Sequence, residues 1–227
     1  ASDHRIYPAR YTDNSRDVIG ALSRHTAAFS FRPAEMIRGQ TFLERIGCGE
    51  GQSFVCLLVR DNAYLKSTDP KRDWSYHDYR DTSIGDYAQV AIALADLDYV
   101  VLRMGSVVGS QLCVDHPLVI DYATSEFRTD FLDIWLMANC RFCITTGTGL
   151  DEVAHIFGRP AVYVNYLPAI DVVSYSRNVS VFKHLEWKDK AKRLSLSEHL
   201  VHSYNSSFEY ADNGIVVKDL TPGEIKD

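Results

Sequence analysis

The chain has 227 residues, enough to bury one core, or one domain with a sizeable appendage. Its 46% hydrophobic and 24% charged residues are typical of a soluble globular protein and exclude a disordered or fibrous one. A formal net charge of −6 argues against a general nucleic-acid binder. With no apolar run near the roughly 18 residues of a membrane span, and no signal-peptide core in residues 1–10, we expect a cytoplasmic protein without a membrane span.

The five cysteines do not form a recognisable metal or redox set. Cys56, Cys140 and Cys143 lie in or beside apolar runs, which is typical of small buried residues. Cys140 and Cys143 have the spacing of a redox or metal pair, but an extended segment would point them to opposite faces. No second such pair or nearby histidine pair completes a zinc set. We therefore expect no metal and no cofactor.

The first 50 residues differ in composition from the rest of the chain. They are polar and mixed, and their spacing predicts helices over 14–29 and 33–46. We interpret 1–50 as an N-terminal helical segment or the remnant of a second domain.

From residue 51 to about 200, strand and helix patterns alternate along the chain. The near-continuous apolar runs, each typical of a strand buried on both faces, are SFVCLLVR, YVVLRMG, PLVIDYA, RFCITTG and PAVYVN. Helical spacing occupies SIGDYAQVAIALADLD, RTDFLDIWLMANC and GLDEVAHIFG. This order predicts an α/β domain over 51–200, with a Rossmann-like parallel sheet and helices on both faces. Residues 186–200 are predicted as a surface helix, 201–227 as a C-terminal extension, and LTPGEIKD as the start of another helix.

Ligands of open parallel sheets bind at the carboxyl ends of the strands. That rule selects the residues at the carboxyl end of each apolar run, so we expect them to converge on one pocket. They are Arg60, Asp61, Arg103, Asp121, Tyr122, Thr145, Thr146, Gly147, Thr148 and Gly149.

The turn at residues 145–149, TTGTG, leads into a predicted helix. Glycine lets the backbone approach a phosphate closely, and free amides at a helix start favour anions. The turn is not a Walker loop, since no Gly-Lys-[Ser/Thr] follows, nor a dinucleotide fingerprint, since Glu152 replaces the third glycine. Asp151 either satisfies the helix itself or holds ribose hydroxyls. A phosphate site and an ordinary strand–helix corner both remain open.

A second informative stretch runs from residue 59 to residue 81. Arg60 offers a planar fork to phosphate oxygens, and His77, Tyr79 and Arg80 are candidates to meet the ligand from the loop. The alternative is that Arg60 and Asp61 pair with neighbouring residues and that the tyrosines only pack within a surface loop.

Structural roles are equally open elsewhere. Asp121 and Tyr122 could cap the following helix, while Asn165 could orient the TTGTG turn or form a simple turn. We predict that His155, on the apolar side of its helix, is a packed core residue.

At RDNAYL, YHDYRDTSIGDY, VLRMG, VIDYA, CRFCITTGTG and RPAVYVN the chain resembles the glycosyltransferases of bacterial surface-polysaccharide gene clusters. The resemblance covers residues 52 to about 185. It implies a GT-B-like arrangement, in which two Rossmann-like domains face each other and the C-terminal one binds a nucleotide-sugar donor without a metal. Relatives carry a full N-terminal domain where this chain has about 50 residues, so we expect a possible second domain or subunit.

The resemblance and the residues together predict a glycosyltransferase, or its donor-binding domain, with a nucleotide sugar as substrate and an undefined acceptor. Arg60, Arg103 and the amides of 147–149 would stabilise the departing diphosphate, and Asp61 is the candidate acid or base. One alternative is a nucleotide-sugar epimerase or hydrolase. Another is a non-catalytic interaction domain, which predicts that side chains fill the cleft.

Overall fold

A computed structural model describes residues 29–172, 176–190 and 192–227. Its central feature is a six-stranded parallel sheet in the order β3-β2-β1-β4-β5-β6. The strands are β1 (Phe54–Leu58), β2 (Val100–Arg103), β3 (Val119–Ile120), β4 (Cys143–Thr145), β5 (Ala161–Tyr166) and β6 (Asn178–Phe182). The predicted Rossmann-like parallel sheet is confirmed, and β6 is a strand that the sequence analysis did not identify.

Helices connect most of these strands. They are α1 (Pro33–Arg45), α2 (Ala63–Thr68), α3 (Ala88–Asp96), α4 (Asp130–Asn139) and α5 (Asp151–Ile156), with short 3₁₀ helices at Ser75–Arg80, Ile84–Tyr87, Tyr122–Thr124 and Ala169–Asp171. The helix predicted over 33–46 is confirmed. The one predicted over 14–29 lies outside the described residues except for its last position.

Side-chain alternation along the strands gives the sheet two apolar faces. Cys56 and Leu58 pack on one face with Trp135 of α4, while Val55 and Leu57 pack on the other with α3. Both faces are buried under helices, as the near-continuous apolar runs require. The prediction of helices on both faces is confirmed.

The predicted orientation of the cysteines is wrong. Cys140 and Cys143 lie fully buried in the same apolar cluster, together with Cys56. Cys140 is the residue that ends α4 rather than part of the strand, so strand alternation does not separate the two side chains. Within the described part of the chain, no group of three or more His, Cys, Asp or Glu side chains could hold a metal ion.

A second, antiparallel sheet lies after the parallel one in the chain, in the order β8-β7-β9. Its elements are β7 (His184–Trp187), β8 (Lys192–Arg193) and β9 (Ile215–Lys218), with α6 (Leu196–Val201), α7 (Ser207–Asp212) and α8 (Pro222–Lys226). The surface helix predicted over 186–200 is wrong for its first half, because Glu186 and Trp187 belong to β7 and pair with Val216 and Ile215 of β9. The helix predicted at LTPGEIKD is confirmed as α8, and the division into 51–200 and 201–227 stays a prediction.

None of the described helices is long and apolar enough to cross a membrane.

The strand order places a crevice where a ligand can bind. The chain runs outward from β1 through β2 to β3, then crosses back so that β4 lies on the other side of β1. Connections therefore diverge above the carboxyl ends of β1 and β4, which is where ligands of this topology bind.

Candidate functional site

A cavity of about 790 Å³ opens at this edge of the sheet. Its floor is formed by the ends of β1 and β2, and its walls by α2, the start of α4 and the turn after β4. Apolar residues form most of the walls, including Leu58, Val59, Met104, Val107, Ile134 and Leu150. The polar lining consists of Arg60, Asp61, Ser106, Arg128, Asp130, Asp133 and Thr148. We call this cavity the cleft.

Arg60 connects the two strands that flank the crevice. Its backbone N–H donates to Oγ1 of Thr146 over 2.9 Å, which ties the end of β1 to the turn after β4. Its Nε donates to Oδ1 of Asp81 over 3.3 Å, and 16% of its side chain is exposed. Burial, and then the charge of Arg80, lower the pKa of Arg60. A second cation therefore lies close to this guanidinium.

Arg80 is held against the turn after β4. Its Nη2 donates to the carbonyl oxygen of Gly147 over 2.8 Å. Gly147 has a φ of 84°, and a Cβ there would lie 2.7 Å from the ring of Tyr166. Glycine is therefore required for this close approach. Nε of Arg80 is buried and has no hydrogen-bond partner in the described structure.

His77 completes this group of basic side chains. Its ring centroid lies 4.1 Å from that of Tyr76. Burial lowers the pKa of His77, and the charges of Arg60, Arg80 and Arg72 lower it further. The imidazole is therefore neutral near pH 7 and lies beside cations. We call Arg60, Arg80 and His77 the arginine cluster; the structure brings all three together, as expected, although their role in binding stays a prediction.

The turn after β4 is closed by its own carboxylate. Oδ2 of Asp151 accepts hydrogen bonds from Oγ1 of Thr145 over 2.7 Å and from the amide of Thr148 over 2.9 Å. The amide of Gly147 in turn donates to Thr145 Oγ1 over 3.0 Å. Two of the three amides predicted to hold a diphosphate are thus engaged within the turn. Asp151 is 1% exposed, and its burial raises its pKa to about 6.

Both carboxylate oxygens of Asp61 are occupied by backbone amides. Oδ1 accepts from Ala63 over 2.9 Å at the start of α2, and Oδ2 accepts from Gly109 over 2.8 Å. The side chain therefore fastens the loop after β2 to the start of α2 while lining the cleft. Its role as acid or base stays a prediction.

Arg103 does not join the arginine cluster. It is 0% exposed, and its Nη1 donates to Oδ1 of Asp121 over 3.2 Å. In the sheet it pairs in register with Leu57, whose side chain belongs to the opposite face from the cleft-lining Leu58. The expected convergence of Arg103 with Arg60 and Gly147 on one pocket is therefore not observed.

Three other residues predicted for the site make contacts that stabilise the fold. Asp121 also accepts from the amide of Leu112 over 2.8 Å through Oδ2. Tyr122 is fully buried, and its hydroxyl accepts from the amide of Thr129 over 3.0 Å at the start of α4. Tyr79 is buried with its ring 5.5 Å from that of Tyr210.

Asn165 anchors a distant segment rather than the TTGTG turn. It has a φ of 55°, and its Nδ2 donates to Thr82 Oγ1 and to the hydroxyl of Tyr87, over 3.2 Å in each case. Its Oδ1 accepts from the amide of Leu220 over 2.7 Å, which holds the strand-to-α8 connection against β5. His155, predicted as a core residue, is confirmed as buried and bonds to the hydroxyl of Tyr163 at 2.6 Å.

Sequence analysis missed a charged pair at the start of α4. Arg128 Nη2 donates to Oδ2 of Asp133 over 2.6 Å, and both residues line the cleft. Burial raises the pKa of Asp133 despite the arginine. The signal was available, because RTDFLD begins the helix that follows the third strand, and such a helix starts at the carboxyl edge of the sheet.

Lys183 is a third residue that sequence analysis missed. It is buried, and its Nζ donates to the carbonyl oxygen of Asp81 over 2.6 Å and pairs with Asp219 at 2.7 Å. It therefore holds in place the aspartate that receives the hydrogen bond from Arg60.

No family model matches the chain, and no curated protein matches it by sequence. The resemblance to glycosyltransferases of surface-polysaccharide gene clusters therefore stays a prediction. Among solved structures, the chain is similar to "the glycosyl transferase family 9 from Veillonella parvula DSM 2008", with a TM-score of 0.49 and 12% identity. The match covers 68% of this chain and 42% of that one, so the chain spans less than half of that protein's length.

Proposed function

We propose that the chain binds the diphosphate of a nucleotide sugar in the cleft and serves as a glycosyltransferase, or as its donor-binding domain, in surface-polysaccharide biosynthesis. The observation that carries the proposal is the arginine cluster. Arg60 borders the cavity of about 790 Å³ at the crevice between β1 and β4, and Arg80, held on the carbonyl oxygen of Gly147, is close enough for its charge to act on Arg60.

The charge balance of the cluster favours a dianion. Arg60 pairs with one carboxylate, Asp81, whose pKa is raised by burial, and Arg80 bonds to a backbone carbonyl oxygen instead of a carboxylate. His77 is neutral and adds hydrogen-bonding capacity rather than charge. Guanidinium forks form paired hydrogen bonds with phosphate oxygens, and such bonds are stronger where water is partly excluded. A diphosphate bound here would relieve the repulsion between the two arginines.

The rest of the cleft suits the organic part of the ligand. Binding cavities for small molecules measure roughly 300–1,000 Å³ and combine apolar walls with a few polar groups. The cleft has this volume, with Met104, Ile134 and Leu150 among its walls and exposed Tyr64 at its rim. We assign the apolar walls to the nucleoside and the end with Arg128 and Asp133 to polar hydroxyl groups.

The proposed reaction transfers the sugar to an acceptor hydroxyl. The bond between the anomeric carbon and the diphosphate oxygen breaks, its electron pair leaves with the diphosphate, and a bond to the acceptor oxygen forms. The arginine cluster supplies positive charge where negative charge develops, as a metal-independent transferase requires. The acceptor proton moves to a carboxylate, for which Asp61 and Asp133 are the candidates that line the cleft.

An open cleft also disfavours the alternative of a non-catalytic interaction domain. That hypothesis predicted a cleft filled by side chains, whereas the cavity between β1, α2 and α4 is open.

Calorimetric titration with UDP, GDP, ADP and CDP tests the proposal. We expect saturable binding of at least one of them, weakened about 10- to 100-fold by Arg60→Ala, since a hydrogen bond between charged groups contributes about 1.5–3 kcal/mol. Arg193→Ala is the matched control, because that arginine is 60% exposed on the small antiparallel sheet. Absence of binding by all four nucleotides, or equal weakening by both substitutions, would contradict the proposal.

A further inference from the structure

Three arginines lie at the amino edge of the parallel sheet, opposite the cleft. Arg141 and Arg159 lie two residues before β4 and β5, and Arg177 lies directly before β6; the three strands are adjacent. Cys143 pairs in register with Ala161, and Ala161 with Asn178, so the three arginines stand at nearly the same level. Adjacent strands are about 4.8 Å apart, which sets these residues in a short row. We call them the basic row.

The basic row borders its own groove. This cavity of about 780 Å³ is lined by the three arginines together with Tyr99, Phe142 and Pro160 among others. The rings of Tyr99 and Phe142 meet edge to face, with centroids 5.9 Å apart, and provide an apolar wall. No aspartate or glutamate of the described residues lines the groove.

Within the described ranges, no carboxylate forms an ion pair with any member of the basic row, in contrast to Arg60, Arg103 and Arg128. Arg159 instead bonds to the backbone: its Nε donates to the carbonyl oxygen of Ala138 over 2.7 Å near the end of α4. Arg141 and Arg177 are exposed. A chain with a formal net charge of −6 thus concentrates three positive charges along one edge, none of them paired with a carboxylate of the described residues. Such a row attracts anions and disfavours cations.

We propose that the basic row is a second ligand site, which binds a phosphate-bearing group. Guanidinium groups spaced by strand separation can reach several oxygens of one phosphate or of two linked phosphates. The aromatic wall provides apolar contact for the part of the ligand next to the phosphate. The phosphate belongs either to a free phosphorylated molecule or to a phospholipid headgroup, and the site does not depend on the function proposed for the cleft.

Inorganic pyrophosphate is the probe for a free phosphorylated molecule. Its binding is followed through the backbone amide NMR signals of Ala161 and Val179. The Arg60→Ala background is used, so that the cleft contributes little. We expect saturable shifts at these amides that weaken as salt increases. Arg141→Ala with Arg177→Ala should lower the affinity by roughly tenfold for each guanidinium removed. Lys188→Ala with Lys190→Ala, two exposed cations beside the small sheet, is the matched control and should leave the affinity unchanged.

Vesicles distinguish the second source. Co-sedimentation with phosphatidylcholine vesicles that contain phosphatidylserine, but not with phosphatidylcholine alone, assigns the site to anionic headgroups if the double alanine variant abolishes it. Pyrophosphate shifts without vesicle binding assign it to a free phosphorylated molecule. Lack of both responses, or responses that persist in the double variant, would overturn the proposal. Arg141→Lys with Arg177→Lys should retain part of the affinity, which distinguishes loss of charge from a folding defect.

Discussion

The ends of β1 and β2 carry the same residue type and use it differently. Arg103 is the last residue of β2 and pairs with Leu57, so its side chain enters the layer of packed residues on one face of the sheet and is 0% exposed. Arg60 lies two residues beyond the end of β1, where it borders the cleft and stays 16% exposed. In this sheet the arginine within the strand is therefore buried in the packed layer, whereas the arginine beyond the strand end reaches the cleft.

Removing the partner of Arg103 should have the largest effect. Asp121→Ala leaves a fully buried guanidinium without its carboxylate, and breaking a buried pair in this way costs about 3–5 kcal/mol. The free energy of unfolding, measured with urea, should fall by that amount, whereas the nucleotide affinity of the folded protein should stay unchanged.

Asp130→Ala is the control for this prediction, because its carboxylate pairs with Arg128 while remaining 95% exposed. Exposed pairs contribute at most about 1 kcal/mol. If Asp121→Ala lowers the free energy of unfolding by no more than Asp130→Ala does, the buried pair between Arg103 and Asp121 does not stabilise the end of β2 as described.

A pH series tests the turn that faces Arg60. Burial raises the pKa of Asp151 to about 6 from an ordinary value of 3.8, so the folded protein holds this proton more tightly than the unfolded chain. The resulting stability is fully present below the unfolded-state pKa and is lost as the pH rises through about 6. Relative to Asp151→Asn, the unfolding free energy of the wild type should therefore decrease by up to roughly 2–3 kcal/mol across this range. Parallel pH profiles for the two proteins would show that Asp151 is not buried in the turn as described.

Replacing Asp81, the partner of Arg60, should lower the free energy of unfolding less than replacing Asp121, the partner of Arg103. Asp81→Asn keeps an acceptor for Arg60, and the guanidinium can still contact water, so we expect a loss of about 1 kcal/mol. Nucleoside diphosphate affinity should rise, by roughly three- to tenfold, because the arginine cluster loses its nearest negative charge. A stability loss as large as that of Asp121→Ala, or a fall in affinity, would remove the distinction between the two strand ends.

Asp61→Asn should have the smallest effect. An amide oxygen can replace one of the two carboxylate contacts to Ala63 and Gly109, so about 0.5–1 kcal/mol of unfolding free energy should be lost. Calorimetry should show an unchanged nucleotide affinity. A loss of affinity comparable to that of Arg60→Ala would instead make Asp61 a ligand-binding residue.

Apolar periodicity was sufficient to predict the parallel sheet and its helices. Strands buried on both faces leave runs such as SFVCLLVR, and their order with helical segments fixes the fold class. It also placed Arg60 and the 145–149 turn at the carboxyl ends of β1 and β4, because the carboxyl-edge rule depends only on strand direction, while their role in binding stays a prediction.

Strand register and tertiary hydrogen bonds could not be predicted from the apolar pattern of the sequence. Whether Arg103 faces the cleft depends on its pairing with Leu57, and whether Asn165 contacts the turn depends on Leu220, 55 residues further along the chain. The strand β7 was missed because its burial comes from β9 and α7, which lie later in the sequence. Tertiary context overrides local preference at such positions.

A crystal structure with the tightest-binding of the four nucleoside diphosphates tests the central claim most directly. The account predicts diphosphate oxygens within hydrogen-bond distance of the guanidinium groups of both Arg60 and Arg80, with the nucleoside against the apolar walls of the cleft. A diphosphate bound away from both arginines, with the cleft empty, would contradict it.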